Sequence, residues 1–203
     1  MFDIIQKGGI LMYPIIFLSV LSLAIFLERL FSLRTEKYAP ERFLEKLFML
    51  LGSKSFEDAK SLCDLQRCAI GEISKNILNN LDLPISRLME LVEETGRFES
   101  RKLEKFLPTL QTIATVSPLL GLLGTVIGMI KTFIAISQEG IGNAQALAGG
   151  ISEALLTTAA GLSVAIPTVI FYHIVRHRSE KITNELEIAA SKMVNLVFKE
   201  EVR

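Results

Sequence analysis

The sequence predicts an all-α integral membrane protein with three transmembrane helices and long helices that extend into a cytoplasmic helical domain. Charge distribution is the first reason, because residues 107–175 hold only three formally charged residues, Lys131, Glu139 and Glu153. The second is an uncharged run of eighteen residues at 10–27, close to the ~20 that span a bilayer. The third is helical spacing of the apolar residues in the charged segments. Such segregation indicates that part of the chain lies in lipid.

The first half of the chain is predicted to be a short periplasmic N-terminus (1–9), a first transmembrane helix (10–30) and a cytoplasmic helical region (31–106). Glu28 and Arg29 lead directly from the first span into charged sequence, and no small-x-small cleavage site follows. This pattern is typical of a retained anchor rather than a signal peptide.

Within the cytoplasmic region, fourteen basic and fourteen acidic residues lie between positions 28 and 106. Pro40 is expected to open a helix that breaks at Gly52. Ser55 with Asp58 resembles a capping box. Another helix is expected to start at Pro84 and to run straight into the second span, which would make the whole chain one assembly rather than two domains.

The second half is predicted to hold a transmembrane helix (107–136), a periplasmic loop (137–149), a third transmembrane helix (150–175) and a cytoplasmic tail (176–203). Pro108, Pro118 and Pro167 each remove a helical hydrogen bond, so bends are expected. Apolar residues in the tail alternate spacings of four and three, which is typical of a coiled-coil seam facing a partner. They are Ile182, Leu186, Ala189, Met193 and Leu196.

Small and hydroxyl residues fall three or four apart in both later spans and so share one helical face in each. Small residues let membrane helices approach closely, and we expect copies of the chain to associate through these stripes. Thr125 and Thr158 fit either packing or a polar pore. The stripes are Ala114, Ser117, Gly121, Thr125, Gly128 and Thr132, then Ala154, Thr158, Gly161, Ala165 and Thr168.

Glu153 is a functional candidate because an acid near the bilayer centre costs about 2.5–3.5 kcal/mol on insertion scales. The alternative is an interfacial residue in the first helical turn after Gly149 and Gly150, where the helix dipole favours an anion. Lys131 is expected to extend toward the periplasmic side.

The basic residues that flank the spans predict the orientation. The periplasmic side has only Lys7, which places the N-terminus outside and the large loop and tail in the cytoplasm. The cytoplasmic flanks carry Arg29, Arg34, Lys37, Arg101, Lys102, Lys105, Arg176, Arg178 and Lys181.

Several other functions find no support in the sequence. With 22 basic and 22 acidic residues the formal net charge is zero, so no basic footprint for nucleic acid exists. Cys63 and Cys68 are expected to be ordinary helix residues, and His173 with His177 gives two metal ligands without a third. No metal site or cofactor is predicted. Without a phosphate loop or a nucleophile–base pair, an enzyme is not expected either.

Two motifs resemble the signature of the ExbB/TolQ proteins, and ExbB most of all; these are distant relatives of the flagellar stator subunit MotA. The first is SPLLGLLGTVIGMI at 117–130, and the second is GISEALLTTAAGL at 150–162. The opening Gln6, Lys7, Gly8 and Gly9 look like the same family.

The resemblance implies a subunit of the bacterial inner membrane, five copies of which surround the single transmembrane helices of two ExbD/TolR-like partners. Such a complex uses the proton-motive force, or rarely sodium, to drive a TonB/TolA-like transducer across the periplasm, in outer-membrane transport or envelope maintenance. The resemblance also implies that Thr125, Thr158 and Glu153 line the central pore. Helix packing would involve Gly121, Gly128, Gly161, Pro118 and Pro167.

The residues alone leave two other hypotheses open. One is a self-sufficient ion channel or transporter in which Glu153 alone binds the ion. The other is a structural membrane scaffold whose cytoplasmic helices dock other proteins.

Overall fold

The computed structural model describes residues 8–66, 68–139 and 144–198. Within these ranges the chain is helical, with eight α-helices and no strand. They are α1 (Met12–Ser32), α2 (Thr35–Tyr38), α3 (Glu41–Gly52), α4 (Phe56–Leu65), α5 (Ala69–Asn79), α6 (Ile85–Leu103), α7 (Leu107–Glu139) and α8 (Ala144–Phe198).

Three of these helices are long and apolar enough to cross a membrane by length and composition, namely α1, α7 and α8. Large apolar side chains on them are exposed, including Phe17 and Leu155, each 65% exposed. Contiguous apolar surface of this kind is unusual on a soluble monomer and suits lipid or another helix. The prediction of three apolar spans is confirmed.

Proline and glycine set the helix boundaries in the charged segment largely as the sequence predicts. Pro40 immediately precedes α3, which ends at Gly52, and Pro84 immediately precedes α6. Ser55 does precede α4, but its hydroxyl makes no capping bond to the helix. Instead Ser53 Oγ donates to Ser55 Oγ at 3.3 Å. The predicted position of the cap is therefore correct, and the capping box itself is not formed.

The expected continuous helix from the charged segment into the second span is wrong. Helix α6 ends at Leu103 and α7 begins at Leu107, with Phe106 between them in the left-handed region at φ 70°. A continuous helix would drive the ring of Pro108 against the carbonyl of Glu104, and breaking the helix avoids this clash. Pro108 then lies in the first turn of α7, where its missing N–H costs little and no bend is required.

Both ends of the segment expected to be a loop at 137–149 are helical. Helix α7 extends to Glu139 and α8 already begins at Ala144. The segment AQALA at 144–148 is rich in alanine, the strongest helix former. Residues 140–143 lie outside the described residues.

The chain divides into two compact units, which corrects the expectation of one assembly. The apolar unit consists of the chain up to Arg29 together with Phe106–Ile174. The charged unit consists of Leu30–Lys105 and the chain from Val175 onward. Helix α8 contributes its first part to the apolar unit and its last part to the charged unit.

The charged unit has its own hydrophobic core, and the tail of α8 supplies part of it. Ile182 and Leu186 are each 2% exposed, and Ser74 Oγ lies 3.2 Å from the sulfur of Met193. The seam that the sequence predicts is thus helical but is buried in this chain rather than facing a partner. Other fully buried side chains of this core are Leu47, Ile70, Ile73, Ile77 and Leu88.

Candidate functional site

The backbones of α7 and α8 come into close contact at glycine. A β-carbon at Gly121 would lie 3.0 Å from the Cα of Thr158, and one at Gly161 would lie 2.6 Å from the carbonyl oxygen of Ser117. The distance at Gly161 is shorter than a side chain tolerates against backbone and the one at Gly121 is tight, so these glycines permit the contact.

A second close approach lies farther along the same two helices. A β-carbon at Gly128 would lie 2.7 Å from the carbonyl oxygen of Gly150, and one at Gly150 would lie 2.2 Å from Thr132 Oγ1. The two stripes therefore pack against each other within one chain. At these contacts the stripe glycines face the neighbouring helix of the same chain, and the expected association of copies through the stripes stays a prediction.

The sequence reasoning missed one pair in this contact, Gly124 with Thr157. A β-carbon at Gly124 would lie 2.1 Å from Thr157 Oγ1, and Thr157 is 1% exposed. The signal was present, because Gly124 follows Gly121 by three residues and Thr157 precedes Gly161 by four.

The threonine hydroxyls of this region bond to backbone carbonyls. Thr158 Oγ1 donates across to the carbonyl of Gly121 at 3.0 Å, whereas Thr125 Oγ1 donates to Leu122 in its own helix at 2.6 Å. Both side chains are half-buried. Because a hydroxyl oxygen that donates still has lone pairs to accept with, these contacts leave both residues able to face a polar path.

Glu153 lies inside α8 and pairs with a lysine of α7. Lys131 Nζ contacts its two carboxylate oxygens, at 2.6 Å and 2.8 Å. The acid side chain is 17% exposed and the lysine side chain 53%. The lysine thus pairs with Glu153, and its expected extension toward the periplasmic side stays a prediction. Lys131 and Glu153 are 22 positions apart in the sequence, and this separation does not predict that they pair.

The position of Glu153 in α8 also tests the alternative that this acid is an interfacial residue in the first helical turn. Helix α8 begins at Ala144, about two and a half turns before Glu153. The acid is therefore not in the first helical turn, and the dipole of the helix N-terminus does not account for it, since that effect fades within one turn.

Gly9 lies against the same carboxylate. A β-carbon at Gly9 would lie 2.0 Å from Glu153 Oε1, and the backbone there has φ +71°, which favours glycine. Gly8 beside it is buried. Gln6 and Lys7 of the same motif lie outside the described residues. The N-terminal glycines, α7 and α8 thus meet at one acid.

The two helix-interior prolines have hydroxyl groups nearby. Pro118 lies inside α7 and Pro167 inside α8. Ser117 Oγ donates to the carbonyl of Ile113 at 2.7 Å, and Ser163 Oγ donates to that of Ala159 at 2.8 Å. Pro167 has no N–H to donate to the carbonyl of Ser163. The Ser163 hydroxyl bonds instead to the carbonyl of Ala159, one turn earlier.

The two cysteines lie in the charged unit. Cys63 is in α4, but Cys68 is an extended residue just before α5, which corrects its assignment to a helix. The pKa of Cys63 is raised to about 11, mainly by burial and further by the neighbouring Cys68 and Asp64. Within the described ranges, no group of three or more His, Cys, Asp or Glu side chains is placed to hold a metal ion.

Comparison with known proteins gives a consistent result. The chain is 35% identical over 189 residues to the biopolymer transport protein ExbB of Salmonella typhimurium, covering 85% of this chain and 73% of that protein. It is 32% identical over 188 residues to an ExbB-like biopolymer transport protein of Synechocystis, covering 84% of this chain and 82% of the other. With the Tol-Pal system protein TolQ of Pseudomonas aeruginosa it shares 32% over 197 residues, 89% of this chain and 84% of that one.

The matched region includes the site described above. Residues 69–188 match the MotA/TolQ/ExbB proton channel family, and they contain Glu153, Lys131 and both glycine stripes. The long shared length, the three apolar helices and this match lead to one assignment: the chain belongs to the MotA/TolQ/ExbB proton channel family.

Proposed function

We propose that this chain is the inner-membrane subunit of a motor of the ExbB/TolQ type that is driven by the proton-motive force. The observation that carries the proposal is the ion pair of Glu153 with Lys131 between the apolar parts of α7 and α8. The Thr158 hydroxyl, which bonds to Gly121 between the same two helices, adds a further polar group. Membrane helices retain such groups at a cost, and they mark ion or substrate paths by default. Family membership and the three apolar helices support the same conclusion.

In this proposal Thr125, Thr158 and Glu153 line the ion path, and the glycine contacts fix the distance between α7 and α8. One unit charge that crosses 100 mV releases about 2.3 kcal/mol, so a few protons suffice to shift or turn a helix. The mobile proton carrier comes from elsewhere, because the aspartates of this chain are Asp3, Asp58, Asp64 and Asp82. None of these lies in an apolar span.

The partners proposed for the complex supply what this chain lacks. Several copies of the chain would surround a single-span protein of the ExbD/TolR type whose intramembrane aspartate carries the proton. A TonB/TolA-like transducer would then transmit the motion across the periplasm, for outer-membrane transport or envelope maintenance. The N-terminus would be periplasmic, and the charged unit, with the lysines and arginines that flank the spans, cytoplasmic.

Co-expression of this chain with the candidate single-span partner tests the proposal. The expected result is a stable complex with several copies of this chain, whose activity in cells disappears when the proton-motive force is collapsed. The matched control is the same partner with its intramembrane aspartate changed to asparagine, which should assemble and be inactive. Ion flux from the purified chain alone would instead favour a self-sufficient channel, and the absence of any complex would contradict the motor.

A further inference from the structure

One lysine occupies both oxygens of the Glu153 carboxylate. The distances from Lys131 Nζ, 2.6 Å and 2.8 Å, are those of charge-assisted hydrogen bonds. Each helix contributes one partner of the pair, so its geometry depends on how closely α7 and α8 approach.

That approach is fixed next to the pair. A β-carbon at Gly128, one turn before Lys131, would lie 2.8 Å from the Cβ of Ala154, the residue after Glu153. Ala154 is 4% exposed. Since the two backbones are in contact there, α7 and α8 cannot come closer together, and this contact sets the spacing across which the lysine reaches the acid.

The acid is the covered partner of the pair, and the lysine is the open one. The Glu153 side chain is 17% exposed against 53% for Lys131, and Gly9 leaves no room for even a methyl group beside Oε1. A half-buried carboxylate without a positive partner is costly. Either a proton or a cation can neutralise it, and the structure supplies a cation covalently, as Lys131.

We propose that Lys131 is a tethered counter-cation of Glu153 that takes the place a free alkali cation such as sodium would otherwise occupy. The lysine is thus a specificity-determining residue, because it closes the carboxylate to sodium. Its physiological meaning rests on the proposed function, in which Glu153 borders the ion path. The ion pairing itself does not depend on the proposed function, because it concerns only how the Glu153 carboxylate is neutralised.

Sodium-dependent stability of the purified full-length chain in lipid nanodiscs tests the proposal. Thermal unfolding is measured above neutral pH in sodium chloride and in choline chloride of equal ionic strength. Wild type should unfold at the same temperature in both. Lys131→Met leaves the carboxylate without a counter-cation, and sodium should raise its unfolding temperature by about 2–4 °C.

Three further variants define the site. Lys131→Arg keeps the cation and should behave as wild type. The double variant Lys131→Met with Glu153→Gln removes the ligand and should lose the response to sodium. Lys181→Met removes an exposed lysine that lies 3.9 Å from Glu185, and it should also show no response. Where Lys131→Met does not fold, Lys131→Gln takes its place.

A Lys131→Met or Lys131→Gln chain as indifferent to sodium as wild type would overturn the proposal, as would a wild-type chain that responds as strongly. A response that persists in the double variant would place sodium elsewhere and overturn it too. Because the partner and the proton-motive force are absent from this experiment, its failure leaves the proposed motor intact. Failure of the co-expression experiment likewise leaves the sodium result unaffected.

Discussion

The Thr158 hydroxyl has two possible roles, since it bonds to the carbonyl of Gly121 and would also border the ion path. Thr158→Val keeps the volume and removes the polar atom. We expect the chain to lose about 1 kcal/mol of stability with the hydrogen bond, and activity driven by the proton-motive force to fall sharply at normal complex yield. Both are measured in the co-expressed complex.

Thr157→Val is the matched control for that prediction. The neighbouring hydroxyl donates to the carbonyl of Ala154 at 2.9 Å, and the side chain is buried between the helices. Its loss should cost similar stability and leave the activity per assembled complex unchanged. Equal activity in the two variants would mean that Thr158 only packs.

Charge at position 153 is tested separately by Glu153→Gln, which keeps size and hydrogen-bonding capacity. The proposed path requires the charge, so activity driven by the proton-motive force should fall while the complex still assembles. An acid without a role in the path would tolerate the amide. Glu185→Gln, in the pair with Lys181 of the charged unit, is the control, and it should be neutral in both readouts. Normal activity of Glu153→Gln at normal yield would remove this residue from the path.

The cysteine thiols should be inert at neutral pH. Because burial raises the pKa of Cys63 from 9.0 to about 11, the thiol stays protonated in the folded chain. The unfolded chain loses this proton first as pH rises, so the thiol's contribution to stability is present below 9.0 and is lost as pH rises through about 11. Alkylation at neutral pH should therefore be far faster after unfolding.

The double variant with serine at Cys63 and Cys68 should still support growth that depends on the transport system. Rapid alkylation of the native thiols, or clear loss of growth in the double variant, would show that these cysteines have a function.

At the scale of the helices, two adjacent glycines of α8 provide a matched test of the contact with α7. A β-carbon at Gly150 would lie 2.2 Å from Thr132 Oγ1, whereas one at Gly149 would meet no atom within 4 Å. Gly150→Leu should separate the helices and abolish the stable fold of the apolar unit. Gly149→Leu should be tolerated.

The measurement for this pair is the yield of monodisperse protein in detergent together with its thermal unfolding. Should both variants behave as wild type, the close approach of α7 and α8 would not hold the apolar unit together. Gly121→Leu would be expected to act in the same direction as Gly150→Leu, because a β-carbon at Gly121 would lie 3.0 Å from the Cα of Thr158 in the facing helix.

The elements that could be predicted from the sequence are those fixed by local chemistry. Long uncharged runs predict the spans, and Pro40, Gly52 and Pro84 predict helix boundaries. These predictions succeed because the proline ring and the missing side chain of glycine affect the backbone within one helical turn. The break at Phe106 does not follow from the sequence, because Pro108 is compatible with a bend inside a helix as well as with the first turn of a new one.

The candidate site was predictable in its parts and not in its assembly. Glu153 and Thr158 stand out in an apolar sequence, since polar groups in lipid are costly. That Lys131 pairs with Glu153 and that Gly9 covers the carboxylate depend on how three separate segments meet. The lysine and the acid are 22 positions apart on two different helices, and helical periodicity carries no register from one helix to the next.

In the molecule as a whole, α8 belongs to both compact units. Its early part supplies Ala154 to the apolar unit, and its tail supplies Leu186 and Met193 to the core of the charged unit. One uninterrupted helix is thus a structural component of both units. Damage to its tail should therefore be felt in the charged unit and not in the contact between α7 and α8.

Leu186→Ala tests this division, with Ile188→Ala as the control in the same helical turn. Leu186 is 2% exposed and Ile188 61%, so only the first change should leave a cavity, at about 2–5 kcal/mol. Hydrogen exchange of Leu186→Ala should rise in α3 to α6 and the tail of α8, and remain as in wild type in α1 and α7. Faster exchange throughout α7 would show that the two units unfold together, because loss of the charged core would then also release the helices that carry Glu153 and Lys131.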